Sequence, residues 1–143
     1  MSEVAPGDWV CYRGTNRDGV IRGSSMATNW NGSRPVAVWK HAVGPAWSSL
    51  IVVGNRLYTQ EQRGENELVV CYELATGGAI WSHTNRVRFS EPMGGDGPRA
   101  TPTIDGGRVY ALGATGILDG RVPEDYGLMS RTRSPEGIQR HHQ

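Results

Sequence analysis

The sequence predicts an all-β fold built from short antiparallel strands, and three observations favour it. Glycine supplies 20 of the 143 residues and proline 8 more, and both are spread between short apolar runs, which is typical of closely spaced turns. No stretch shows a sustained helical period. A hairpin also recurs, because shifting Val52–Tyr58 by 52 residues gives Ile104–Tyr110 with glycine, arginine and tyrosine unchanged. Such an internal repeat indicates a fold built from repeated units.

Residues 1–33 are expected to form a loose lead-in and then a clasp that folds back on the rest of the chain. The polar turn residues of this segment allow two interpretations. They would form either a ligand or calcium cluster or the caps of a structural turn, and they are Arg13, Asn16 and Asp18. We favour the structural clasp, because Asp-x-Gly turns are common and no third acidic ligand is nearby.

The repeats are predicted to occupy residues 34–118. Val36–Gly44 is expected to be a strand, and a first complete unit would span about residues 46–84. A second, partial unit would cover about residues 99–118. Four short runs separated by turns would make the first unit an antiparallel meander; they are Leu50–Val53, Arg56–Glu61, Leu68–Tyr72 and Ala79–Trp81.

The corner that joins the last two of these strands organises the prediction. Gly77 and Gly78 would supply the positive φ angles of a tight turn, with Glu73 or Thr76 accepting hydrogen bonds from its amides. Trp81 would then pack against a neighbouring layer. Burying an indole contributes at most about 4–6 kcal/mol, so one such side chain per sheet would fasten sheet to sheet.

The eleven residues Cys71–Trp81 resemble the tryptophan-docking motif of quinoprotein-like (PQQ-like) β-propellers, with glycine in the seventh place and tryptophan in the eleventh. Cys71 and Glu73 stand where that motif usually has alanine and aspartate. Asp8–Gly19 also resembles the Trp-x-x-aromatic-Arg-Gly-x-Asn-x-Asp-Gly opening of many such proteins. The resemblance runs from about residue 8 to residue 118. It implies antiparallel four-stranded propeller blades, and hence an N-terminal fragment of about one and a half blades.

The resemblance stops after residue 118. No tryptophan follows Trp81, and the remaining residues are rich in arginine, serine, proline and histidine. Residues 119–143 are therefore expected to be an irregular tail, truncated or out of frame. In the family, the strand predicted at Val36–Gly44 usually completes the last blade and closes the ring.

The long glycine-rich loop after the first unit is the best candidate for a functional surface. It should project from one end of the sheet, and its charged residues could line a funnel that holds an anion, a sugar or a metal. The alternative is a linker whose charges are simply hydrated, which the sequence favours. The candidate ligand-facing residues are Glu91, Asp96 and Arg99.

The charge and cysteine content limit the possible partners. Fifteen basic and 14 acidic residues give a net charge of +1, which argues against nucleic acid or an anionic membrane as a main partner. No run approaches the roughly 20 apolar residues of a membrane-spanning helix. No signal peptide is visible, although the resemblance implies a periplasmic or secreted protein. Cys11 and Cys71 match no metal spacing, and two buried thiols are favoured over a disulfide.

No catalytic constellation is visible in the sequence, and His41 and His83 are interpreted as ordinary edge histidines. We therefore expect a non-catalytic scaffold that binds a protein or carbohydrate partner and carries no cofactor. The alternative is a piece of a PQQ-dependent alcohol or sugar dehydrogenase. The resemblance implies that such an enzyme would need PQQ, calcium and a pair of adjacent cysteines. This sequence has no adjacent cysteines. Repeat folds need about three units, and two sheet edges would be open. The isolated chain is therefore expected to be marginally stable or to self-associate.

Overall fold

The computed structural model describes residues 4–23, 25–121 and 130–133. Every regular element in these residues is a β-strand, which confirms the all-β prediction. The described residues contain no helix that is long and apolar enough to cross a membrane. The strands are β1 (Ile51–Val53), β2 (Arg56–Arg63), β3 (Asn66–Glu73), β4 (Ala79–Asn85), β5 (Ser90–Glu91), β6 (Gly95–Asp96), β7 (Thr103–Asp105), β8 (Arg108–Leu112), β9 (Ile117–Arg121) and β10 (Ser130–Arg133).

The first four strands form an antiparallel sheet in the order β1-β2-β3-β4, which we call sheet 1. This is the predicted meander, although β2 continues to Arg63 and β4 to Asn85. The longer strands are possible because β2 and β3 pair without interruption from Arg56↔Glu73 to Arg63↔Asn66. A bulge between Cys71 and Tyr72 shifts the register with β4 just before the corner.

Sheet 2 has the order β7-β8-β9-β10 and corrects the predicted tail. The partial unit was expected to end at residue 118, but β9 runs to Arg121 and residues 130–133 pair with it as β10. Ile117 and Asp119 of β9 are both buried, so β9 belongs to the packed sheet. It does so although no tryptophan-docking motif follows it in the sequence. The rest of the predicted tail, residues 122–129 and 134–143, lies outside the described residues.

The two sheets share one hydrophobic core. Side chains alternate along each strand, and one face of sheet 1 meets sheet 2 in a cluster to which Val109 and Ala111 contribute. Trp81 packs against this cluster, and its ring centre lies 6.0 Å from that of Tyr58. This confirms the prediction that Trp81 packs against a neighbouring layer. The buried members from sheet 1 are Ile51, Tyr58, Val69 and Cys71.

A second tryptophan covers the other face of sheet 1. Trp39 packs against a cluster of Leu57, Val70 and Tyr72, and its Nε1 donates a hydrogen bond to the carbonyl of Leu74 at 2.8 Å. The prediction of a strand at Val36–Gly44 is wrong, because no described strand forms a ladder with this segment. Its valines remain exposed to solvent.

The corner after β3 forms as a tight turn, with one correction. Gly77 has a φ of +72°, whereas Gly78 does not have the positive φ that the sequence suggested. The Thr76 hydroxyl accepts a hydrogen bond from the Gly78 amide at 3.1 Å and donates one to the Glu73 carboxylate at 2.6 Å. Trp39 lies directly over Gly77, so the glycine leaves room for an indole.

The N-terminal segment folds back between the two sheets, as the clasp interpretation expects. Trp9 exchanges backbone hydrogen bonds with Val52 of β1 at 2.7 and 3.0 Å, and the carbonyl of Val10 accepts one from Ile104 of β7 at 2.9 Å. The carboxylate of Asp8 also accepts a hydrogen bond from the Gly54 amide at 2.9 Å. The clasp therefore ties the first strand of one sheet to the first strand of the next.

Candidate functional site

The candidate site is the connection between β4 and β7, residues 86–102, together with Trp47. Within it β5 and β6 form a small hairpin, with Ser90 opposite Asp96 and Glu91 opposite Gly95. The connection leaves the sheet at the end where β2 turns into β3. The sequence predicted a loop here, but its short hairpin was not predicted, because two-residue strands carry no periodic signal.

Arg99 lies at the centre of this loop. Its Nη2 donates to the Gly95 carbonyl at 2.7 Å and to the Glu91 carboxylate at 3.1 Å, and its Nη1 donates to the Gly97 carbonyl at 3.1 Å. The guanidinium carbon also lies 5.0 Å from the centre of the Phe89 ring. A planar guanidinium with five donors is suited to several carbonyls at once, so this side chain holds the turn of the hairpin in place.

The second predicted carboxylate is paired with another arginine. Asp96 accepts a hydrogen bond from Arg88 at 2.8 Å, and Arg88 also reaches Glu65 at 3.2 Å. The pKa of Asp96 is lowered, first by a hydrogen bond from the Ser90 hydroxyl and then by Arg88. The structure therefore brings Glu91, Asp96 and Arg99 together, and each carboxylate already faces a cation.

Trp47 adds an aromatic surface that sequence reasoning missed. Its indole is 67% exposed, yet its Nε1 donates to the Gly94 carbonyl at 2.8 Å and its backbone amide donates to Pro98 at 2.9 Å. Arg99 lies 5.9 Å from the ring centre. The sequence around Trp47 gave no signal of this contact, because Gly94 lies 47 residues away.

Buried polar side chains of β2 support the base of this surface. Gln60 donates to the Ala100 carbonyl at 2.9 Å, and Gln62 donates to the Val87 carbonyl at 3.0 Å. Glu61 accepts hydrogen bonds from the Gly44 amide and from Arg63. These three residues are almost fully buried, whereas glutamine and glutamate in a strand usually indicate a solvent-facing side. Their partners lie mostly in distant loops, so the sequence could not reveal them.

A second polar cluster lies between the sheets. Asn85 donates to the carboxylate of Asp119 at 2.6 Å, and Nε2 of His83 lies 3.6 Å from the other oxygen of that carboxylate. Glu67 accepts a hydrogen bond from the Ala114 amide at 3.1 Å. Burial raises the pKa of Glu67, and the charge of Asp119 adds to this. His83 lies on β4, the edge strand of sheet 1, as predicted, and its ring also faces Asp119 of sheet 2.

His41 and the residues of the N-terminal turn have structural surroundings. The exposed His41 ring lies 4.6 Å from that of Tyr72, in a segment that forms no strand and therefore no sheet edge. Asp18 pairs with Arg22 at 2.7 Å and accepts a hydrogen bond from the Val20 amide at 3.0 Å, while Arg13 donates to the Asp18 carbonyl at 3.4 Å. These contacts close the turn on itself and match the clasp interpretation.

The two cysteines of the chain lie in the interior. Cys11 and Cys71 are both buried and unbonded to each other, which confirms two buried thiols, and burial raises the pKa of the Cys71 thiol to about 11. Such a thiol stays protonated at neutral pH and is a poor nucleophile. In the ranges that the structure describes, no three His, Cys, Asp or Glu side chains are grouped so that they could hold a metal ion.

The candidate loop therefore offers a fixed aromatic ring, paired charges and carbonyl acceptors on a supported base. Comparison with known proteins adds no relative: no protein-family model matches this sequence, and no curated protein matches it either.

Proposed function

We propose that this chain is a non-catalytic repeat scaffold of the PQQ-like β-propeller type whose loop surface binds a carbohydrate or a protein. Two features support the propeller-like part of the proposal. Four-stranded antiparallel sheets follow one another along the chain and pack face to face. In addition, an indole lies against the glycine in the seventh place of the docking motif, where Trp39 covers Gly77.

The single observation that carries the binding function is the fixed, exposed indole of Trp47 beside the paired charges of the loop. Apolar faces of sugars pack on aromatic rings, and carboxylates and guanidinium groups bond their hydroxyls. Because Arg99 and the β2 side chains already hold the loop, a ligand would meet a surface that needs little ordering. Such preorganisation raises affinity without further contacts. A carbohydrate is thus the ligand class we favour.

Titration calorimetry against a panel of neutral and acidic oligosaccharides tests this proposal, with two matched variants. Trp47→Ala removes the ring in the loop, and Trp30→Ala removes a ring that is 57% exposed elsewhere and also bonded through its Nε1. We expect Trp47→Ala to weaken binding about tenfold, since an aromatic contact is worth about 1.4 kcal/mol. Trp30→Ala should bind as the unchanged chain does. Equal binding by all three would contradict the proposal.

The alternative, a piece of a PQQ-dependent alcohol or sugar dehydrogenase, fits the described residues poorly. Its adjacent cysteine pair has no counterpart, because Cys11 and Cys71 are separate buried thiols. Glu91 and Asp96 are each bound to an arginine, which would have to leave before calcium could bind. Dye-linked alcohol oxidation after addition of PQQ and calcium would favour the alternative, and we expect none from this chain.

A further inference from the structure

Asn31 is the one asparagine in the sequence that a glycine follows. Larger residues follow the others, which are Asn16, Asn29, Asn55, Asn66 and Asn85. Glycine has no Cβ to block the approach of its amide nitrogen to the preceding side chain, and its backbone reaches the conformations that this approach requires. An Asn-Gly pair is therefore a sequence in which the asparagine side chain reacts readily with the chain that follows it.

The structure leaves the reacting groups of this pair accessible. Asn31 and Gly32 are both exposed, and they lie in a bend that belongs to no strand. Within the described residues, neither the Asn31 side chain nor the Gly32 amide forms a hydrogen bond. The backbone amide of Asn31 donates to the Asn29 side chain at 3.1 Å, and this bond does not occupy either reacting group.

We propose that Asn31 deamidates spontaneously through the backbone amide of Gly32. Water or hydroxide removes the proton of the Gly32 amide, and the nitrogen attacks the side-chain carbonyl carbon of Asn31. A C–N bond forms there, the bond from that carbon to the side-chain nitrogen breaks, and ammonia leaves with a proton taken from water. The product is a cyclic succinimide. This modification does not depend on any ligand of the Trp47 loop.

Water then opens the succinimide at either of its carbonyl carbons. Opening at the side-chain carbonyl gives aspartate at position 31, and opening at the main-chain carbonyl gives isoaspartate, in which the chain runs through the side chain. Overall, an amide and water yield a carboxylate and ammonium, with no change of oxidation state. The new carboxylate lowers the net charge of the chain from +1 to zero, and a net charge near zero promotes association.

Aspartate followed by glycine forms the same ring with loss of water, but more slowly at neutral pH, because the carboxylate must first be protonated. The sequence has four such pairs, which begin at Asp18, Asp96, Asp105 and Asp119. Asp105 ends β7, and its pairing with Arg108 fixes its backbone in the hairpin. Asp119 is buried in β9. The fold therefore restrains both of these aspartates.

The other two aspartate pairs lie in loops, but their glycine amides are already bonded. The Gly19 amide donates to the Arg13 carbonyl at 2.9 Å, and the Gly97 amide donates to the Phe89 carbonyl at 2.9 Å. Each amide would have to give up this bond before its nitrogen could attack. Among the pairs that can form a succinimide, Asn31-Gly32 thus combines the better leaving group with an unbonded amide.

Peptide mapping by mass spectrometry, after incubation of the full chain at mildly alkaline pH, tests this proposal. We expect aspartate and isoaspartate to accumulate at position 31, while Asn16 and Asn29, which are also exposed, keep their amides. Isoelectric focusing should show a new form that carries one negative charge more. An unmodified Asn31 would overturn the proposal. Equal modification of Asn16 or Asn29 would also overturn it, because exposure alone would then decide the reaction.

Gly32→Ala removes the reactive pair without disturbing the fold. A Cβ at Gly32 meets no atom within 4 Å, and the φ of Gly32 is not positive. We expect this variant to lose the acidic form over the same period. Ser33→Ala is the matched control, since it changes an exposed neighbour and keeps the Asn-Gly pair. Circular dichroism checks that both are folded. Deamidation of Gly32→Ala at the rate of the control would contradict attack by the Gly32 amide.

The same incubation in urea separates the contribution of the fold from that of the sequence. Asn31 should deamidate at a similar rate in the folded and unfolded chains, because the fold does not hold its bend. Isoaspartate at Asp18, Asp96 and Asp119 should form faster in the unfolded chain, since the fold restrains these sites. A folded chain in which Asn31 reacts far more slowly than in urea would refute the accessibility on which the proposal rests.

Discussion

Gly77 is required for two separate reasons, its backbone conformation and its contact with Trp39. Its φ of +72° lies in the left-handed region, which costs any other L-residue roughly 1–2 kcal/mol. In addition, a Cβ on Gly77 would lie 2.6 Å from the ring of Trp39, which is closer than real atoms approach. Gly54, in the β1–β2 turn, has a φ of +56° but open space around it. Comparing a substitution at Gly77 with the same substitution at Gly54 therefore separates the cost of backbone strain from the cost of displacing the Trp39 indole.

We therefore predict that Gly77→Ala destabilises the chain more than Gly54→Ala does. Both variants should lose roughly 1 kcal/mol from the backbone, and Gly77→Ala should lose about 1–3 kcal/mol more, because Trp39 has to move. Urea unfolding followed by tryptophan fluorescence measures both values. Equal losses would mean that Trp39 contributes little at this corner.

At the scale of elements, polar side chains inside the sheets determine how the loops are placed. Gln60 and Gln62 of β2 hold the β4–β7 connection, and Arg99 holds the hairpin within that connection. The two glutamine bonds join residues 40 and 25 positions apart, whereas those made by Arg99 stay within its own loop. Buried polar groups of this kind are costly when they lose a partner, so they fix one loop conformation.

Arg99→Lys is predicted to loosen the hairpin without unfolding the sheets. A lysine ammonium keeps the charge, but it cannot reach Glu91 and the carbonyls of Gly95 and Gly97 together. Hydrogen exchange should speed up at residues 89–97, including the Gly97 amide that donates to Phe89 at 2.9 Å. Arg86→Lys, at an exposed arginine of the same loop, is the control and should leave exchange unchanged. Unchanged exchange in both variants would rule out a central role for Arg99.

The cluster between the sheets predicts a dependence of stability on pH. The pKa of Glu67 is raised above its ordinary value of 4.5, mainly by burial. A raised folded-state pKa stabilises the fold fully below the unfolded-state pKa, and this contribution is lost as pH rises through the folded-state pKa. Glu67→Gln lacks this proton, so its free energy of unfolding relative to the unchanged chain should increase as pH rises from below the ordinary pKa of Glu67 to neutrality.

Chemical denaturation at several pH values measures this difference. The side-chain amide introduced by Glu67→Gln would keep an acceptor for the Ala114 amide, so the variant isolates the ionisation of Glu67 from the loss of a hydrogen bond. Glu65→Gln is the control, because the Glu65 side chain is exposed and pairs at the surface with Arg88. A difference that stays constant with pH for Glu67→Gln would contradict the predicted burial of its charge.

The molecule as a whole shows which features local sequence patterns can specify. The apolar runs, glycine turns and docking motif predicted sheet 1, its corner and the position of Trp81, because these depend on residues close together in the chain. Val36–Gly44 has the composition of a strand, but a strand also needs a neighbour, and the described chain offers none. In contrast, β9 and the burial of Asp119 depend on sheet 1, so residues near 119 gave no signal.

In the candidate site, too, the sequence identified residues that are close together in the chain and missed those whose partners are distant. The sequence identified Glu91, Asp96 and Arg99 as a group, because they share one loop, and the structure brings them together. It missed Trp47, Gln60 and Gln62, whose partners lie in distant segments. Those contacts exist only once the sheets are formed.

The two successive antiparallel sheets stack through one shared core. Nuclear Overhauser spectroscopy on the methyl-labelled chain tests it most directly. We predict cross-peaks that join the aromatic protons of Tyr58 and Trp81 to the methyl groups of Val109 and Ala111, because all four lie in or against the same cluster. Cross-peaks confined to each sheet, with none between these two groups, would contradict the account.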